Sequence, residues 1–363
     1  MTTTDRLFSA TYAQARQRFL DAAAARALPV ETHVLPLPGV DGETLAIDVV
    51  LDGDPTAPWL VMTTSACHGV EGYCGSAIQT GLLRGGAGIT PARGPVAVLH
   101  VHALNPHGFS HGRRVTQENV DLNRNFIDFT QPLPANAGYE RIHPLLLPDH
   151  WPPSAEVDAA LQRFRDEAGA RGWQAAVSQG QYAQPGGLYF GGFGPTWSNG
   201  VFRDLLRRHV APRRHLAWVD LHTGLGPRGV GERIFASIDE HEALDRARRW
   251  WGPRVTSVTA GTSNSIPLTG PLQFALADDC PGLPHTNVCL EFGTVPLPEM
   301  FEALRADHWL HVHPEADEAL ARAIRRRIRA AFDPDGDDWR ADVWRQGVEV
   351  CEQAMAGLLS LHD

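Results

Sequence analysis

The chain has 363 residues, 43% apolar and 20% charged, which is enough apolar material for a large core and too much for a disordered or fibrous protein. Its 32 basic residues are all arginine, so chemistry that needs a lysine amine is excluded: Schiff bases, internal pyridoxal aldimines and Walker-type phosphate loops. A net charge of −10 repels a phosphate backbone and argues against nucleic-acid binding.

Phe8, Tyr12, Ala15, Phe19 and Ala22 recur at helical spacing, and residues 32–50 then switch to short strand-like runs broken by Pro and Gly, so a helix leading into a hairpin is expected. Apolar runs at 59–64, 96–102, 216–220 and 286–292 read as strands with helical patterns between them. Strands apolar on both faces predict a three-layer α/β fold, a mainly parallel mixed sheet covered by helices on both sides. Residues 103–155 and 178–200 read as long loops and 260–285 as turn-rich, and long loops inside a compact fold often carry function. From 298 onward the pattern is helical, including a helix after Asp335 built on Trp339, Val343, Trp344, Val348, Cys351 and Met355. The arginine run at 321–329 offers an anion patch or an amphipathic helix; Ile324 and Ile328, four apart, favour the helix with a solvated arginine face. No repeat or linker marks a boundary, so a single domain over 1–363 is expected.

No run of about 18 apolar residues occurs, and the first residues carry acid and polar groups where a secretory signal needs a basic start and an apolar centre. A cytoplasmic protein without membrane partners is expected. Cys67, Cys74, Cys280, Cys289 and Cys351 show no CxxC spacing and read as free thiols.

His68-Gly69-Val70-Glu71 follows a predicted strand, and active sites of open α/β sheets lie at the carboxyl ends of strands. Imidazole and carboxylate both suit zinc, and a pair three apart leaves room for a third ligand and a water. His222, in Asp220-Leu221-His222-Thr223-Gly224 at the end of another strand, can supply that third ligand. Glu291 lies inside an apolar strand, where an unpaired carboxylate is costly to bury; it is either half of a structural ion pair or a base beside a metal site. The stretch from Asn105 to Phe126 gathers Arg113, Arg114, Arg124 and several Asn, which suits recognition of a carboxylate and polarisation of a carbonyl, or a solvated loop with turn-forming Asn. Gly224-Leu225-Gly226-Pro227-Arg228-Gly229 matches GxGxxG, but strand-like residues follow it where a nucleotide site needs a helix. Cys67, beside His68, reads as a buried neighbour of the site in preference to a nucleophile.

Taken in order, HGVEG, NPHG with RRVTQENVDLNRNF, DLHTG and LEFGT resemble the zinc metallocarboxypeptidase superfamily, which includes the succinylglutamate desuccinylase and aspartoacylase deacylases. The similarity is greatest to a bacterial carboxypeptidase-like branch, in which stretches like QGQYAQPGGLYFGG and PTWSNGVFRDLLRRH recur. The resemblance implies one zinc ion held by His68, Glu71 and His222, with Glu291 as general base and then acid. It implies Arg114 at the scissile carbonyl, Arg113 as the less favoured neighbour, Asn123 and Arg124 on a substrate carboxylate, and Asp121 orienting His68. The substrate implied is a peptide or an N-acyl amino acid; a deacylase and a non-catalytic ligand-binding protein on the same scaffold are the alternatives. One departure stands out: the peptidases use a mobile Tyr between the last His ligand and the Glu, yet no Tyr follows Tyr189, leaving Tyr182 or Tyr189 as a substitute source. The oligomeric state is not legible.

Overall fold

Strands apolar on both faces are stable only when both faces are covered, and that requirement organises this molecule. In the computed structural model, which describes residues 6–85, 94–237 and 241–362, eight strands form one sheet. They are β1 (Val30–Pro38), β2 (Thr44–Asp52), β3 (Trp59–Ser65), β4 (Val96–His102), β5 (His215–Arg228), β6 (Gly231–Phe235), β7 (Thr256–Ser257) and β8 (His285–Gly293), in the order β1-β2-β4-β3-β5-β8-β6-β7. The central β4-β3-β5-β8 are mutually parallel, while β1 with β2, β2 with β4 and β6 with β8 pair antiparallel. The expected three-layer, mixed α/β architecture is the one observed.

Alternation along the central strands sends residues to two cores. Val61, Val219, Leu221, Val288 and Leu290 meet Ile78 of the helix Gly72–Leu83, Trp251 of the helix His241–Trp251, and Trp339 of the helix Asp337–Leu359. Leu60, Met62, Leu216 and Trp218 meet Phe202 and Leu205 of the helix Trp197–Leu205 on the opposite side. A third cluster, including Val70, Met300, Leu304 and Phe332, packs the helices Leu297–Val312 and Glu318–Phe332 over the carboxyl end of the sheet. In the last of these, Ala321, Ile324 and Ile328 are buried and most of the arginines stay outside, as the amphipathic reading expected.

Three expectations are corrected. The fourth-from-last strand does not stop at Asp220; β5 continues through the polar Leu221–Gly224 stretch because its backbone keeps pairing with β8 whatever the side chains are. The stretch 103–155 is not all loop, since Pro106–His111 and Ala137–Leu146 are helical. Residues 260–285 likewise enclose the short helix Ala275–Asp279. The GxGxxG stretch runs as strand and turn into β6, where Val230 N donates to the Pro227 carbonyl at 3.0 Å.

Candidate metal centre

Two close approaches of backbone shape the site. At the end of β3 the chain reverses through Ala66, whose φ of 54° is left-handed, and the turn is pinned by Leu104 N on the Ser65 carbonyl (3.0 Å) and Asn105 N on the Ala66 carbonyl (2.8 Å). A left-handed alanine costs on the order of 1–3 kcal/mol and persists where its surroundings enforce it. Gly69 then presses on the helix Pro106–His111: a Cβ there would stand 2.0 Å from the Gly108 carbonyl carbon, so no other residue fits. Gly69 N and Val70 N donate to the Arg114 and Arg113 carbonyls at 3.1 and 2.9 Å. Asn105 caps the helix by accepting from Gly108 N at 2.8 Å and donates to the Arg114 carbonyl at 3.2 Å. The His-Gly-x-Glu turn and the arginine loop are thus one braced unit.

That unit faces β5 and β8, where His222 and Glu291 are register partners. One ligand atom from each of His68, Glu71 and His222 lies within 4.8 Å of the others, and all three residues are buried. His68 Nδ1 is 2.8 Å from Glu71 Oε1, and His222 Nδ1 is 3.0 Å from Glu71 Oε2. His68 Nδ1 is nevertheless a buried nitrogen without a hydrogen-bond partner, because its contact with Glu71 is not aligned as a hydrogen bond. Two ring nitrogens converging on one carboxylate, with the His68 nitrogen left without a hydrogen bond, are a donor set suited to zinc.

The far sides of both rings are anchored. His222 Nε2 faces Asp220 Oδ2 at 2.8 Å, and Asp220 in turn accepts from Thr64 Oγ1 (2.5 Å) and Gln273 Nε2 (3.2 Å). His68 Nε2 faces Asp121 Oδ1 at 3.2 Å and Arg114 Nη2 at 2.7 Å. Nε2 thus lies between a donor and an acceptor, accepting from Arg114 or donating to Asp121, and only the tautomer that donates to Asp121 presents the Nδ1 lone pair to the site. Asp121 was expected in this orienting place; Asp220 was not. Its signal was present in the sequence, since a residue two before His222 on a strand shares its face.

Electrostatics follow the same geometry. Burial favours protonated Glu71, but His68 and His222 outweigh it and hold the carboxyl well below its ordinary range. Burial opposes charge on His222, yet Asp220 and Glu71 carry its imidazole well above its usual value. Glu291 shifts the other way: burial first, then the nearby Glu71 charge, push it up to about 7. Its Oε1 accepts Leu225 N at 2.9 Å.

Arg114 is embedded in the cluster, donating from Nε to Asp121 Oδ2 and from Nη1 to Glu71 Oε1, both at 3.0 Å. Arg113 turns away: Nε reaches Asp307 Oδ2 at 3.2 Å and Nη2 reaches Asn119 Oδ1 at 3.1 Å, so its sequence neighbour alone borders the cavity. Asn123 lines the cavity while its side-chain oxygen accepts Leu272 N at 2.8 Å. Arg124 also lines it, with Nε and Nη2 on the Ser178 carbonyl (3.1 and 2.6 Å) and Nη1 on the Asn123 carbonyl (2.9 Å). That leaves one hydrogen on each terminal nitrogen. Of the two tyrosines, Tyr182 donates to the Arg124 carbonyl at 2.5 Å, whereas Tyr189 borders the cavity with its ring 5.3 and 5.4 Å from the Arg114 and Arg124 guanidinium carbons.

The cavity holding this cluster has a volume of about 650 Å³. Its walls come from Trp173 and Val177 of the helix Ala155–Ser178, from Met300 and Phe301 of the helix Leu297–Val312, and from Ile266 and Leu268 of the 260–285 stretch. They are mostly apolar, and the same two helices also bring Asp158, Gln162, Arg165, Glu302 and Arg305 to the lining, away from the cluster at the sheet end.

Fold and site together define an α/β protein with a buried His-Glu-His constellation at the carboxyl ends of parallel strands. Over residues 8–346 the chain matches a family described as "Protein of unknown function (DUF2817)", and it belongs to that family. No curated protein matches it. Among solved structures it is similar to the carboxypeptidase A from Helicoverpa armigera, at 12% identity and a TM-score of 0.43, over 90% of this chain and 74% of that one. It is also similar to bovine thrombin-activatable fibrinolysis inhibitor, at 10% identity and a TM-score of 0.44, over 96% and 98% of the two chains. An aspartoacylase family protein from Mesorhizobium loti aligns at 15% identity and a TM-score of 0.36, over 78% and 66%. These are distant likenesses, and the functional reading rests on this chain's own residues.

Proposed function

We propose that this chain is a zinc-dependent hydrolase of the metallocarboxypeptidase kind, cleaving an amide bond next to a free carboxylate. The observation that carries the reading is the buried, unpartnered His68 Nδ1 facing Glu71 and His222, a donor set that one divalent cation satisfies. His68, Glu71 and His222 would hold the ion, which when bound supplies Lewis-acid activation of water and of the carbonyl.

The remaining work falls to protein side chains. Glu291, raised to about 7, is matched to taking a proton from water at its carboxylate and returning it to the departing amine. Arg114, whose charge Asp121 and Glu71 secure against burial, would face the negative charge growing on the carbonyl oxygen. Asn123 and the two remaining Arg124 hydrogens would take the substrate carboxylate. Asp121 and Asp220 would orient the two imidazoles for ligation from the far side of each ring.

An N-acyl amino acid deacylase would use the same groups. Cavity size favours the peptide: about 650 Å³ lies within the ~300–1,000 Å³ of sites that enclose drug-sized ligands, larger than a short acyl group on one amino acid requires. The test is Glu291→Gln assayed on peptides and N-acyl amino acids after zinc loading. Metal content should be unchanged and hydrolysis should fall by at least ~10²-fold; retained turnover in the zinc-loaded variant would reject the role given to Glu291.

A further inference from the structure

The helix Ala155–Ser178 is broken at Gly169, whose φ of 66° and ψ of 172° belong to a region essentially reserved for glycine. A Cβ there would meet no atom within 4 Å, so the dihedrals, and not the space, call for glycine. The break separates two unlike halves. Residues 170–178 are fixed to the body: Ala176 and Val177 are buried, Arg171 Nη2 and Gln174 Nε2 donate to the Gly261 and Asn264 carbonyls at 3.2 and 3.0 Å, and the Ser178 carbonyl accepts from Arg124. In residues 155–168 Leu161 alone is buried, and among the described residues no side chain of this half hydrogen-bonds beyond its own helix and cap. Its ties are weak ones, namely Phe164 beside the Arg141 guanidinium (5.0 Å) and Asp158 Oδ1 at 3.9 Å from Arg305 Nη1.

This lightly held half borders the cavity. Asp158, Gln162 and Arg165 are exposed and still line it, as does Leu297 of the helix Leu297–Val312, 53% exposed, so these residues mark its mouth. Arg305 is a rigid post beside them: it is buried, with Nε and Nη2 on the Leu146 and Leu145 carbonyls (3.0 and 2.9 Å) and Nη1 on Glu302 Oε1 (2.6 Å). That leaves one Nη1 hydrogen for Asp158.

We propose that residues 155–168 are a lid over the cavity mouth, hinged at Gly169 and latched by Asp158 on Arg305, which swings outward to admit substrate and inward to shut the mouth during hydrolysis. The inference rests on the reading of the cavity as the substrate site and adds how access to it is controlled. At 3.9 Å the latch is longer than a hydrogen bond and Leu297 is open to water, so the structure stands short of full closure. Closure brings the Asp158 carboxylate onto the free Nη1 hydrogen, covers Leu297 and removes water from around Arg114, which strengthens its hold on a growing negative charge. Opening costs little, because it exposes one buried side chain and breaks one loose ion pair.

The test reads entry to the cavity in the full, metal-free chain, so its result does not depend on hydrolysis. Cys289 lines the cavity and is partly open while the other four cysteines are buried, and its alkylation by iodoacetamide, mapped by mass spectrometry, reports access. Asp158→Ala should speed that alkylation about two- to fivefold, the effect of losing one such ion pair, and Asp158→Arg should speed it further by setting two cations against each other. Salt at about 1 M should speed it in the unmutated chain and leave Asp158→Ala unchanged. Deuterium exchange of the unmutated chain should be faster across 155–168 than across 170–178, and Asp158→Arg should accelerate the first set alone. Alkylation indifferent to both variants and to salt, or exchange that is uniform through the two halves, would overturn the lid and leave the zinc site standing. A chain that meets every one of these expectations and retains no zinc would keep the lid and lose the hydrolase.

Discussion

Glu291 is a carboxyl group placed where its own charge is unwelcome, and this has a consequence for stability that needs no substrate. Burial and the Glu71 charge raise it from 4.5 to about 7, so between those values the folded chain holds a proton that the unfolded chain has released. The stabilisation from that retained proton is fully present below the unfolded value and is lost as pH rises through the folded one. In the metal-free state, Glu291→Gln should therefore be the more stable protein at about pH 8, by roughly 2–3 kcal/mol, with the two melting curves converging as pH falls toward about 4. A wild type that melts higher at the alkaline end would mean that Glu291 is ionised and favourably paired. At this scale the sequence was informative wherever a motif coincided with a strand end, as for His68, Glu71 and His222. It was silent on direction: nothing in Arg113-Arg114 says which guanidinium faces the cavity, because that depends on Asp307, 194 residues away.

At the scale of elements, the centre depends on two glycines more than on any helix. Gly69 and Gly108 let the His-Gly-x-Glu turn and the arginine loop touch through their backbones. Gly69→Ala must push that contact apart, since the added carbon would stand 2.0 Å from the Gly108 carbonyl carbon. A loss of about 1–3 kcal/mol in denaturant unfolding is expected from such overpacking, together with weaker zinc binding because His68 moves with the turn. Wild-type stability and zinc affinity in this variant would show that the approach is not a constraint. The glycines were visible in the sequence as parts of motifs, but their reason was not, because the clash partner lies 39 positions on. The length of β5 was misread for a related reason: Leu221 to Gly224 look like a loop by their side chains, whereas their backbone pairing with β8 is set by the neighbour.

At the scale of the molecule, the three-layer architecture was legible because runs apolar on both faces have few alternatives. The cavity was not, since its walls are assembled from a helix before β5, a helix after β8 and the stretch between β7 and β8, and no local pattern says that three segments so far apart in the chain meet. These layers bring His68, Glu71 and His222 together from two strand ends, and metal content tests most directly whether the three share one ion. Purified chain, stripped with chelator, supplied with zinc and dialysed, should retain one zinc per chain, and its melting temperature should rise with free zinc, by about 2.7 kcal/mol in stability at a hundred times the dissociation constant. His222→Ala should lose both effects. A folded wild-type chain that retains no zinc and melts at the same temperature with or without it would contradict the account.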